Sequence, residues 1–385
     1  MNASRTQALR SQRGFTLVEI LVGVAIGLVG LLVMFKTTAI WDTHTRSTTA
    51  GGDAQSTGTL AIFNLERDIK QAGLGFATAG APAMGCVVQG VDTNAGTRNF
   101  SFNLRPVEIV VGGSGAPDSI NVLYGSSSYF VSEQTFTETT ASTKKTARRN
   151  GFKAGDLVVA ADTTNCGLLQ VTSTGNADLL TLDHINGNFT SFYAPAAAAS
   201  GVSRFNPAGG LGFTFSTTTP GRLFNLGPAP RRNTWQIQDG RVLTRTDLIF
   251  NTGRFDIAEG VVNIKAQYGI DSDANDRITS AAPNEWGTAA PTNWSNVRAI
   301  RVAVLVRSKQ FEKSADQSAS AVATAVTPTA KTPTWAGGTF VMRNADGTTD
   351  SYGDNDANPN NWRYYRYRVY EKEIPLRNMI WGTGP

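Results

Sequence analysis

The 385-residue chain is predicted to be α+β: a long N-terminal helix, half transmembrane and half amphipathic, packed on an antiparallel β-sheet head with long loops. Three observations predict this. An apolar run, FTLVEILVGVAIGLVGLLVMF, fills residues 15–35, and no proline interrupts the chain between Met1 and Ala81. Helical spacing returns at Leu60, Phe63, Leu65 and Ile69. Beyond residue 100 the apolar residues alternate with period two, and the apolar stripe of an amphipathic helix needs such a sheet to cover it.

Residues 1–14 are polar and carry Arg5, Arg10 and Arg13 with no acidic residue. The run 15–35 follows, with Glu19 as its only charge, and Lys36 ends it. A helix of about 21 residues spans about 30 Å, the thickness of a bilayer core. Basic residues before the span place the N-terminus in the cytoplasm and the rest of the chain outside. A secretory signal would have a shorter apolar region followed by small-x-small residues. Here Thr37-Thr38-Ala39 imitates that poorly, and the small residue, Gly14, precedes the run. The run is expected to remain as an anchor.

An ionised carboxylate inside a bilayer costs about 2.5–3.5 kcal/mol on insertion scales. Glu19 therefore needs a partner, or else it is simply protonated. A cut after Gly14 would create an α-amine on Phe15, one helical turn away, or offered by a neighbouring chain. Amine and carboxylate neutralise one another far better in low dielectric than in water.

The stretch Arg13-Gly14-Phe15-Thr16-Leu17-Val18-Glu19, followed by its apolar run, resembles the prepilin signature of type IV pilins and type II secretion pseudopilins. The resemblance implies a prepilin peptidase cutting between Gly14 and Phe15, methylation of the new N-terminal Phe15, and a salt bridge through which Glu19 guides subunit docking. Removing 1–14 takes Lys+Arg from 35 to 32 against 30 Asp+Glu, so the net charge falls from +5 to +2. The basicity belongs mostly to the leader, and no nucleic-acid partner is expected.

Past Lys36 the helix is expected to continue unevenly. Gly51, Gly52 and Gly58 each cost about 1 kcal/mol relative to Ala. Glu66 and Lys70 form an i,i+4 pair, and Lys70 with Gly73 beyond it reads as a stop, so the helix is set at 15–72. Gly23-x-x-x-Gly27 either admits a close helix neighbour or softens the span.

The head is taken as 73–385. Val262, Ile264, Ala266, Tyr268 and Ile270 alternate with Asn263, Lys265 and Gln267; Ile300, Val302, Val304 and Val306 form a second face with Arg301 and Arg307 opposite. Both read as half-buried strands. Shorter candidates are 107–111, 119–124, 156–161, 222–226, 234–238 and 241–246, with a Tyr- and Arg-rich strand at 362–374. Gly240-Arg241-Val242-Leu243, then Tyr268-Gly269-Ile270-Asp271, Trp294-Ser295-Asn296-Val297 and the ending Tyr365-Arg366-Tyr367-Arg368 to Arg377-Asn378 resemble PilW-type minor pilins in order and character.

Three stretches read as loops: 139–154, 191–221 and 308–361. Lys144, Lys145, Arg148 and Arg149 in the first read as a solvated hairpin tip, since no aromatic is interleaved for nucleic acid or acidic sugars. The third is long enough to be functional or mobile.

Little points to catalysis. Two histidines and two cysteines exclude most zinc and iron–sulfur sites. There is no Gly-x-Ser-x-Gly, no P-loop and no strand-to-helix Gly-x-Gly-x-x-Gly, and His44 and His184 read as incidental. A paired-carboxylate glycosidase has no specific support. Asp271-x-Asp273-x-Asn275 and Asp354-x-Asp356-x-Asn358 have calcium-loop spacing, but the first continues with Asp276 and Ala282 where Gly and Glu are needed. No metal or cofactor is expected. In an oxidising compartment Cys86 and Cys166 are expected to form a structural bridge in preference to two free buried thiols.

The reading is a minor pilin of type IV pilus assembly, in a priming or tip complex, with downstream roles in adhesion or twitching motility. It would sit in the inner membrane by a single pass with its head in the periplasm, then in the pilus. Its partners would be the prepilin peptidase, other minor pilins and the major pilin. The alternatives are a type II secretion pseudopilin, or a membrane-anchored periplasmic binding protein or hydrolase.

Overall fold

The computed structural model describes residues 15–79, 83–94, 96–127, 133–148, 150–174, 180–194, 200–275, 277–281, 284–309, 311, 332–348 and 358–382. One long helix, Leu17–Gln71, projects from a head built on three large sheets, with two further two-stranded pairs among the described residues. Ala72 caps its C-terminus, and Gly73 follows at φ 84°, the left-handed turn expected of a glycine stop.

The four-stranded sheet is antiparallel, ordered Trp286–Gly287, Val261–Ile270, Val297–Arg307, Tyr367–Pro375. The five-stranded sheet is also antiparallel: Arg254–Glu259, Val242–Asp247, Arg231–Gln238, Ser119–Tyr124, Val107–Val110. The eight-stranded sheet runs Arg98–Asn103, Val87–Asp92, Cys166–Gln170, Leu157–Ala161, Gly221–Gly227, Gln134–Thr140, Thr143–Thr146, Thr181–Asp183. Its pairs are antiparallel except where Val88 lies beside Cys166 in a parallel step.

One core joins the three sheets to the helix, from Ala61, Leu65 and Ile69 through Val159, Trp235 and Val304 to Met379. Polar links stitch the sheets at their joints. The Ile109 amide donates to the Tyr268 hydroxyl at 2.6 Å, and Asp118 accepts from the Ala266 amide at 3.1 Å and from Lys265 at 2.7 Å.

Several expectations need correction. Val262 does not share a face with Ile264: a bulge between Val261 and Asn263 shifts the phase, so Val261 enters the main core and Val262 packs on the opposite side. Strand Val297–Arg307 is not half-buried. Its second face carries Ala303 and Leu305 against Phe340, Met342 and Trp362, so part of the supposed loop 308–361 is a packed cover. The final strand starts later than expected, at Tyr367, because Trp362–Tyr364 forms a 3-10 turn that buries Trp362.

The loop expected at 139–154 contains strand Thr143–Thr146, whose Lys144 is 2% exposed. Lys144 Nζ lies 2.9 Å from Glu138 Oε1 and 2.9 Å from His184 Nε2, and over the Phe215 ring. The other Glu138 oxygen accepts from the Phe215 amide. Burial pulls the Lys144 ammonium below its ordinary pKa, and burial with the Lys144 charge beside it brings His184 down to about 3. Only Ala141 and Ser142 make a tip. Arg149 lies outside the described residues.

Candidate assembly site

The N-terminal helix divides into an uncovered half and a seated half. Thr16 caps it, and Glu19 folds back to complete a capping box. Glu19 Oε2 accepts from the Thr16 amide at 2.9 Å and from the Thr16 hydroxyl at 2.9 Å, while Thr16 Oγ1 accepts from the Glu19 amide at 3.3 Å. The carboxylate is thus aimed at the end of the helix, one residue from Phe15. Gly14, the other half of the expected cleavage site, lies outside the described residues.

Within Leu17–Asp42 an 18-residue stretch of the helix reaches a mean hydropathy of 2.7, none of it covered by the head, and the 26 residues span about 39 Å. Side chains from Phe15 to Phe35 are exposed all round, as in a segment whose surroundings are apolar rather than aqueous.

The seated half runs from about Ala54 onwards. Ala54, Ala61, Leu65 and Ile69 are buried, while Leu60 and Phe63 face away from the head. Gly58, read from the sequence as a break in propensity, has a packing reason: the Tyr370 ring occupies the space a Cβ there would need. The Tyr370 hydroxyl then donates to the Ala54 carbonyl at 3.3 Å. Glu66 pairs with Lys70 at 2.6 Å, as its spacing predicted, and Lys372 approaches its other oxygen at 3.7 Å. The hydrogen bond from Lys70 lowers the Glu66 pKa.

Asp68, 1% exposed, is the polar centre of the seat, and nothing in its own neighbourhood of sequence announces it. Its Oδ1 accepts from the Tyr124 hydroxyl at 2.9 Å; Oδ2 accepts from Asn233 Nδ2 at 2.7 Å and Trp235 Nε1 at 2.8 Å. Burial, with the Asp68 charge beside it, raises the Tyr124 phenol above its ordinary pKa. The short helix Arg377–Gly382 closes the end of the seat, where Asn378 Nδ2 donates to the carbonyls of Gln71 at 3.0 Å and Ala72 at 3.1 Å.

Cys86 and Cys166 form the expected disulfide, with Cα atoms 6.3 Å apart. It lies at the parallel step of the eight-stranded sheet and ties the chain leaving the helix to strand Cys166–Gln170.

Carboxylate oxygens of Asp271, Asp273 and Glu285 come within 4.8 Å of one another. These oxygens already serve the loop. Glu285 accepts from the amides of Ser272 at 2.8 Å and Thr279 at 2.9 Å, which lower its pKa, and Arg298 lies 3.6 Å from Asp271. Asp354 and Asp356 lie outside the described residues. His44 is on the helix and His184 in the Lys144 cluster, so the structure does not bring the two histidines' elements together.

Residues 9–35 match the prokaryotic N-terminal methylation motif, and residues 250–378 match the family described as type IV pilus-assembly protein W. The first covers the uncovered half of the helix; the second covers the sheet that seats its other half. No curated protein and no solved structure matches the chain. Together the two matches are consistent with a PilW-type minor pilin and support a type IV pilus-associated, pilin-like protein. Families of this kind are structural or assembly proteins. The apolar helix with its prepilin-type motif anchors the chain in the inner membrane, with a periplasmic head and a pilus location.

Proposed function

We propose that the chain is a minor pilin that helps to prime or cap a type IV pilus, acting by assembly and not as an enzyme. Residues 1–14 are its leader, 15–72 its helix and 73–385 its head. A prepilin peptidase cuts between Gly14 and Phe15, and Phe15 is methylated. In the filament the uncovered half of the helix packs among other minor pilins and the major pilin, and Glu19 neutralises an N-terminal amine. Adhesion and twitching motility follow from assembly.

The observation that carries this reading is the coincidence of the N-terminal motif at 9–35 with the second family match at 250–378, on the sheet that holds the same helix. The back-folded Glu19 carboxylate supports its role, since it already collects donors at the place where a neighbouring amine would arrive.

The test is the intact mass and N-terminal peptide sequence of the protein extracted from membranes of its own host. A chain beginning at Phe15 and heavier by one methyl group is expected, and it should recur in sheared filaments. A chain beginning at Met1 or Asn2 in a peptidase-competent host would sink the proposal. Recovery only with the secretion apparatus, and never with pili, would move it to the pseudopilins.

A further inference from the structure

The outer face of the four-stranded sheet, turned away from the helix, holds a cavity of about 240 Å³ where residues 341–347 cross it beside the Asp239–Gly240 turn. Val262, Leu305 and Met342 give it an apolar wall. Its polar side is unusual. Among the described residues that line it there are two arginines, Arg307 and Arg343, and no carboxylate.

Arg307 is only 9% exposed. Its guanidinium stacks over the Tyr365 ring at 4.5 Å, and among the described residues no carboxylate pairs with it. Buried charges are normally paired, because leaving water is costly without a counter-charge. Arg343 spends its terminal nitrogens on the carbonyls of Gly347 at 3.3 Å and Ser114 at 3.2 Å, while its buried Nε has no partner. The Tyr367 hydroxyl, within electrostatic reach of the Arg307 guanidinium, is buried without a hydrogen bond of good geometry. So is Asn263 Oδ1, on a side chain 3% exposed whose Nδ2 is anchored on the Gly115 carbonyl at 3.3 Å.

These open valences define a complement. Two guanidinium groups and a phenol hydroxyl call for an oxyanion, and planar guanidinium suits a carboxylate. Asn263 Oδ1 can only accept, so the same molecule must offer a hydroxyl or amide N–H. The aliphatic wall suits a face of C–H groups, and the volume admits one six-carbon ring.

We propose that this cavity binds a small hydroxylated carboxylate of the sugar-acid class. Its carboxylate lies against Arg307, Arg343 and the Tyr367 hydroxyl, and one ring hydroxyl donates to Asn263 Oδ1. The cavity lies on the face opposite the helix seat, so the seated helix does not cover it. The proposal does not depend on the assembly reading.

The test uses the full-length protein in detergent micelles, titrated with galacturonate and glucuronate beside glucose and inorganic phosphate. Saturation-transfer NMR and the melting temperature are the readouts. A uronate is expected to bind saturably and raise the melting temperature, with glucose and phosphate far weaker. Tyr367→Phe keeps the ring in place and removes only the hydroxyl, and Arg343→Gln removes one charge. Each is expected to weaken uronate binding about tenfold. Tyr367→Phe is expected to melt no lower than the parent, so loss of binding there is not loss of fold. Absence of uronate binding means the cavity holds solvent alone and overturns the proposal. Equal binding of phosphate, equal binding of glucose, or unchanged affinity in both variants overturns it too.

Discussion

The ring of Tyr370, on the last strand of the four-stranded sheet, fills the space where a side chain at Gly58 of the helix would stand. A residue that weakens the helix locally is thus what lets the sheet approach it. Gly58→Ala should therefore destabilise the parent although alanine is the better helix former. In a Tyr370→Ala background the sign should reverse, because the clash is gone and only the propensity gain of about 1 kcal/mol remains. Melting temperatures of the four proteins of this cycle check it; the same sign in both backgrounds would contradict the packing account.

Asp68 satisfies three buried donors at once. Asp68→Ala should cost about 3 kcal/mol or more, since each donor left buried without an acceptor costs about 1–3 kcal/mol. Asp68→Asn keeps one acceptor oxygen and should cost less. Tyr124→Phe removes a single donor and should be the mildest of the three. Denaturant unfolding monitored at Trp235 would give this order or refute it.

The Lys144, Glu138 and His184 cluster gives a pH dependence whose sign can be stated. His184 is held neutral in the folded state, with its pKa brought down to about 3, well below the ordinary histidine value. The unfolded chain then binds the extra proton first, so this stability is complete above about pH 6.5 and is lost as the pH falls towards 3. Replacing His184 by Gln should flatten the melting temperature over that window, while leaving it unchanged near pH 8. An identical acid slope in the variant would argue that the histidine is not responsible.

Reduction of the Cys86–Cys166 bridge, or Cys86→Ser, should lower stability by about 2–5 kcal/mol, because the bridge spans 80 residues of sequence. Comparing thermal melts with and without reductant measures this directly.

Glu19→Ala should leave the melting temperature of the head unchanged, since among the described residues its side chain bonds only to Thr16, far from the head. Recovery of the protein in sheared filaments should fall at least about tenfold if Glu19 meets a neighbour's amine. Undiminished recovery would remove Glu19 from the assembly mechanism.

Patterns carried by neighbouring residues were legible in the sequence. The apolar run, the Gly73 stop, the Glu66–Lys70 pair and strand Ser119–Tyr124 all depend on residues a few positions apart, and the disulfide needed only two cysteines and a compartment. What stayed hidden depends on distant partners. Asp68 looks like a solvent-facing helical residue until Asn233 and Trp235 arrive from strand Arg231–Gln238. Lys144 belongs to a run that reads as a basic tip because neither the Glu138 carboxylate nor the Phe215 ring can be inferred from charge spacing. Strand Gln134–Thr140 escaped because Gln, Thr and Glu surround a single Phe136, so its alternation carries little hydrophobic contrast, and Arg98–Asn103 shows only one apolar pair, Phe100 and Phe102. The cavity beside Arg307 escaped for a related reason, being assembled from two sheets and a crossing segment.

The position of the disulfide has a mechanical consequence. If the helix is held in a fibre and the head is tugged, tension leaves the helix at Ala72 and meets a covalent bond at Cys86 before it can unravel any strand. From there it enters the interior of the eight-stranded sheet, where Cys166–Gln170 is flanked on both sides. Such a strand is hydrogen-bonded along both of its edges, to Val87–Asp92 and to Leu157–Ala161, so it offers no free edge from which the load could peel it.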